Sequence, residues 1–217
     1  MIAKIQKYPL LFVEFLLLCL IIPGIIIGFK LAPFMFAFLW SAALYGFLIM
    51  RRYHWNGFKE LWKWDAVTWG NMKPLLIRWV ACTIFMYVFI QWYDPGRTFY
   101  VVEHRPEIIP GLLVGYPIVS ALPQEFVFCS FFFARYAPFF KSGWPMILAS
   151  AVIFAYAHVL YINPVAPTLG FLAGLIFALT YAKTKSLALV TIEHGLYGNS
   201  MFLIGLGWYF YSGSVVQ

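Results

Sequence analysis

The chain has 217 residues, 63% hydrophobic and only 11% charged, with a net charge of +7. A water-soluble domain is roughly half apolar and about a quarter charged, so these proportions exclude a soluble globule and point to the bilayer as solvent. The positive charge is spread over short segments with no Lys/Arg tract, which argues against a nucleic-acid partner and for helix orientation and contact with anionic lipid.

A spanning helix takes about 20 mostly apolar residues. The length therefore predicts an all-α, polytopic membrane helical bundle of about eight spans, in one integral membrane domain over 1–217. A first span is expected over 9–29, with a kink at Pro23-Gly24. It is too long for a signal peptide, and no A-x-A site follows it. The second, 31–50, stops at Arg51-Arg52. The polar stretch 51–73 mixes Trp55, Trp62, Trp64 and Trp69 with Lys59, Glu60, Lys63 and Asp65, as an amphipathic segment in the interface does. The third span covers 74–93 and a loop follows over 94–110. A short fourth span, 108–122, is set off by Pro123 from a fifth, 124–136. The sixth covers 144–162, the seventh 167–182 and the eighth 187–211. Gly170 and Gly174 give the seventh a small-residue face for close packing. Cys19, Cys82 and Cys129 all lie in apolar runs, outside any CxxC pair, so no disulfide framework is expected.

Eight spans specify orientation weakly. With the N-terminus inside, the inside segments hold Lys4, Lys7, Arg51, Arg52, Lys59, Lys63 and Lys73. The outside loops then hold Arg97, Arg105, Arg135, Lys141, Lys183 and Lys185. The early helices usually dominate, which favours the N-terminus inside.

Ionisable residues at bilayer depth are costly and usually functional. Six lie in the apolar runs: Glu14, Arg78, Glu125, His158, Glu193 and His194. Glu14 and Arg78 are near span ends and read as structural. Glu125 opens the expected fifth span, where a helix N-terminus favours an anion. His158 ends the sixth. If these two spans form a hairpin, the carboxylate and the imidazole reach one membrane face and share a water molecule, the general-base arrangement. His194, in a Glu193-His194-Gly195-Leu196-Tyr197-Gly198-Asn199 run, could then stabilise an oxyanion. Two histidines and a carboxylate would also accept zinc, although no cofactor is expected. A transporter would use the same groups as a proton relay, but shows no two-halves repeat here.

At these residues the sequence resembles the CPBP family of intramembrane proteases, which includes the CAAX-processing endopeptidases. The resemblance covers about 122–199, a family-like catalytic core. Phe154-Ala155-Tyr156-Ala157-His158 matches the F-x-x-x-H motif. The E-E-x-x-x-R motif reads Gln124-Glu125-Phe126-Val127-Phe128-Cys129, so both its first Glu and its Arg are replaced. The H-x-x-x-N motif finds Gly198 four residues after His194 and Asn199 five after. A π-bulge would be needed to turn Asn199 toward His194. The resemblance implies an intramembrane, glutamate-type endopeptidase acting on a membrane-anchored peptide or protein. Glu125 and His158 would activate water, and His194 with a suitably turned Asn199 would hold the oxyanion. The two altered motif positions favour the alternative, a catalytically inactive relative serving as an immunity or scaffold membrane protein. The implied location is integral and multi-pass, in a prokaryotic cytoplasmic membrane.

Overall fold

The computed structural model describes residues 8–54 and 56–210. Lys4, Lys7, Trp55 and Tyr211 lie outside the described residues. Within them the chain is helical and holds no strand. Six helices are long and apolar enough to cross a membrane: α1 (Pro9–Gly28), α2 (Ala32–Tyr53), α3 (Trp69–Tyr93), α4 (Pro106–Arg135), α5 (Trp144–Tyr161) and α6 (Val165–Thr184). A seventh helix of similar length, α7 (Leu187–Ile204), is the most enclosed and packs on α3, α4 and α6. Its interior carries Glu193, His194 and Asn199, polar groups that neighbouring helices shield from lipid. Gly205 stops it in a left-handed conformation at φ 115°, short of the expected end at 211.

The expected fourth and fifth spans are one helix, α4, so among the described residues the expected eight spans become seven helices of spanning length. Pro123 does not break the helix because a π-helical turn, Pro117–Ala121, lies just before it. A proline ring crowds the carbonyl four residues back, here Val119, and supplies no N–H for it. The wider π turn absorbs both defects. The same device precedes Pro23, where Leu17–Ile21 is π-helical. The merger also removes the helix N-terminus expected at Glu125, which sits instead mid-helix, just before a second π segment, Phe126–Phe131.

Successive helices run antiparallel, and cross-chain bonds tie each face together. On one face, Arg135 grips Glu14 through two bonds of 2.9 and 2.6 Å. On the same face Ser186 donates to the Lys63 carbonyl at 2.9 Å while its oxygen caps α7 by accepting from the Leu189 N–H at 3.1 Å. There the interfacial segment folds as two short helices, Phe58–Trp62 and Trp64–Ala66, with Trp62 and Trp64 stacked. On the opposite face, the Phe99 N–H donates to the Ile204 carbonyl at 2.9 Å.

Arg78 reaches inward from α3 to Glu193, also donating to Thr180 at 3.0 Å. Gly174 lies where a Cβ would be 3.1 Å from the Ala151 backbone. Its bare face lets α5 and α6 touch along their length.

Candidate active site

Three of the expected site residues converge: Glu125 and His194 meet near the middle of the bundle, and His158 lies at the end of α5 away from the Glu14–Arg135 face. Glu125 and His194 are 1% and 5% exposed, and the His194 Nδ1 lies 2.7 Å from Glu125 Oε1. The other carboxylate oxygen accepts from the Cys129 thiol at 3.1 Å. On the far side of the ring, His194 Nε2 is 2.9 Å from the Tyr116 hydroxyl. The imidazole is also stacked on Phe177, with centroids 4.5 Å apart. Glu125, His194 and Tyr116 therefore form one hydrogen-bonded chain across α4 and α7. With Nδ1–H donated to the carboxylate, a neutral His194 accepts from Tyr116. A protonated His194 donates to Tyr116 instead, which turns the phenol proton outward.

His158 occupies the last turn of α5. Its Nδ1 is 2.7 Å from the Phe154 carbonyl, which can only accept. The neutral ring thus carries its proton on Nδ1 and its basic lone pair on Nε2. Gly170 makes room for it, since a Cβ there would lie 3.3 Å from the ring.

His158 borders two cavities. One, of about 150 Å³, is also lined by Ser120, Gln124, Phe128 and Tyr161. The other, of about 100 Å³, is also lined by Tyr116, Phe177, His194 and Gly198. Tyr116 and Ser120 in turn border a third and larger cavity, of about 800 Å³, reaching Tyr100, Arg105 and Trp208. In the first cavity the Gln124 amide nitrogen donates to Ser120 at 2.8 Å. That leaves the amide oxygen as the acceptor for a guest.

Two sequence expectations change. Glu125 was expected to share a water with His158, but its oxygens are committed to His194 and Cys129. Asn199 was expected to turn toward His194 through a π-bulge. Helix α7 is instead regular from Leu187 to Ile204, and five residues along such a helix lie about 140° away. Asn199 accordingly donates to the Leu113 carbonyl at 3.0 Å.

The position four residues after His194 is Gly198, and Tyr116 fills the space above it. A Cβ on Gly198 would fall 2.0 Å from the Tyr116 ring and 2.5 Å from its hydroxyl. Tyr116 escaped the sequence reading because it is one of fourteen tyrosines in an aromatic-rich chain. The missing side chain at Gly198 was the available signal. Gly198→Ala is expected to cost about 1–3 kcal/mol through overpacking. Thermal unfolding in detergent checks this, with Tyr116→Ala in the same chain relieving the loss. Strictly additive losses would contradict the contact.

Among the described residues, no group of three or more His, Cys, Asp or Glu side chains is arranged to hold a metal ion.

Residues 106–199 match the family model for type II CAAX prenyl endopeptidase Rce1-like proteins. No curated protein and no solved structure matches the chain. The matched segment begins with α4 and runs into α7, so it holds Tyr116, Gln124, Glu125, His158, His194 and Asn199. This stretch, the part of the helical membrane bundle that holds the site, is therefore similar to the Rce1-like type II CAAX prenyl endopeptidases.

Proposed function

We propose that the protein is an intramembrane endopeptidase that hydrolyses a peptide bond of a membrane-associated substrate, with His158 as the base. The observation that carries this reading is the placement of His158. The Phe154 carbonyl holds the proton on Nδ1 and so leaves Nε2 basic, and the ring borders both the Gln124 cavity and the His194 cavity.

In the proposed reaction a water molecule gives one proton to His158 Nε2, and the Gln124 oxygen accepts its other hydrogen. A glutamine orients attacking water in this way in some nucleotide hydrolases. The hydroxide adds to the peptide carbonyl. The Tyr116 hydroxyl donates to the resulting oxyanion while His194 donates to the phenol oxygen, and the Glu125 carboxylate balances the imidazolium. Such preorganised donors act strongly in a water-poor site. Collapse breaks the C–N bond, and His158 returns its proton to the leaving amine. In this scheme Glu125 and His194 are positioning residues that act through Tyr116, with Glu125 moved from the water to the support of the oxyanion donor. Asn199 becomes a brace between α7 and α4.

One observation favours a second reading, a non-hydrolysing relative that binds membrane peptides. Neither cavity at His158 is lined by a carboxylate, because Glu125 is sealed and position 124 is an amide.

The purified protein in detergent, incubated with a library of membrane peptides, separates the two. Hydrolysis that falls by about 100-fold or more in His158→Ala supports the protease. Absence of cleavage by the unaltered protein selects the binding role. A chelator is expected to leave the rate unchanged, and loss of activity that zinc restores would overturn the metal-free route.

A further inference from the structure

Joining the expected fourth and fifth spans reassigns every later loop, and with it the charge on each membrane face. The face holding the start of α1 now carries Arg51 and Arg52 at the end of α2, and Lys59, Lys63 and Lys73 around the interfacial segment. Arg135 and Lys141 join them after α4, and Lys183 and Lys185 between α6 and α7. Among the described residues, the opposite face carries only Lys30, Arg97 and Arg105, alongside Asp94, Glu103 and Glu107. Basic residues in short loops are retained on the cytoplasmic side, and acidic residues contribute little to the choice. The asymmetry therefore places the Arg51–Lys63 face in the cytoplasm.

The cavities lie toward the other face. His158 is in the final turn of α5, which runs away from the basic side. The largest cavity is walled by Tyr100 and Arg105 of the α3–α4 connection and by Trp208 after α7, all segments of the poorly basic face. We infer that the chamber opens on the non-cytoplasmic face, and that its substrates are membrane-associated peptide segments presented there after export. The substrate half of this inference rests on the protease reading, whereas the orientation does not.

Orientation is tested by labelling in intact bacterial cells that express the full chain. Glu103→Cys and Ser142→Cys put one exposed thiol on each face. The parent chain supplies the background, since Cys19 and Cys129 are buried and Cys82 is half-buried. A membrane-impermeant maleimide is expected to label Glu103→Cys equally before and after permeabilisation, and Ser142→Cys only after it. Labelling of Ser142→Cys in intact cells, with or without Glu103→Cys, overturns the inference. Glu60→Cys, on the basic face by a different loop, repeats the measurement if Ser142→Cys fails to fold. None of these outcomes depends on hydrolysis, so failure of the protease reading leaves them unchanged. If hydrolysis is established, intact cells should cleave an impermeant peptide added outside. Cleavage confined to inverted vesicles would refute the substrate assignment.

Discussion

Gln124→Glu is expected to raise peptide hydrolysis by about 10²–10⁴-fold, the usual contribution of a positioned acid or base. The side chain at 124 already borders the His158 cavity, and its amide already reaches Ser120. The substitution keeps shape and adds a proton acceptor next to the proposed water. An amide can orient that water but cannot take its proton. The gain should require His158, so Gln124→Glu with His158→Ala should fall back to the level of His158→Ala alone. A gain that survives loss of His158 would place the base elsewhere. No gain in an otherwise folded, peptide-binding protein would show that the remaining geometry does not support hydrolysis.

Arg78→Ala is expected to be the most destabilising single change among the ion pairs, by about 3–5 kcal/mol. Glu193 is fully buried, while the Arg78 side chain is 38% exposed. Removing the arginine strands a carboxylate in a low-dielectric core. Removing the carboxylate leaves a guanidinium that can move outward along its stem. Glu193→Gln should therefore cost clearly less, and Arg78→Met combined with Glu193→Gln should recover much of the loss. Unfolding in detergent measures the series. Equal costs for the two single changes would argue against this asymmetry.

Membrane character was legible because it rests on composition, and α1, α2, α5 and α6 could be drawn from apolar runs alone. The division at Pro123 failed for a local reason. Proline signals a break when the helix has its usual width, and nothing in 117–121 announced the π turn that accommodates it. The glycines of α7 suggested that a π-bulge there could turn Asn199 toward His194, but those glycines serve close approach. His158 and His194 stood out because imidazoles are scarce in an apolar chain. Their partners did not. Glu125 and His194 are 69 positions apart, and Arg78 and Glu193 are 115, so only the packing of α3, α4 and α7 couples them. The strength of the charge asymmetry was hidden in the same way, since one extra span moves every later loop to the other face while leaving the expected N-terminus-inside orientation as it was.

The Tyr116–Gly198 contact binds two positions on different helices into a single shared volume. A ring on α4 occupies what a side chain on α7 gives up, and the hydroxyl meets the histidine from that borrowed space. Among related sequences the pair should covary. Chains with Asn four residues after the histidine should carry a small residue where Tyr116 stands, and chains with Gly there should keep a tyrosine. The two solutions would be alternative ways of bringing one hydrogen-bonding group to the same nitrogen, traded between helices during descent.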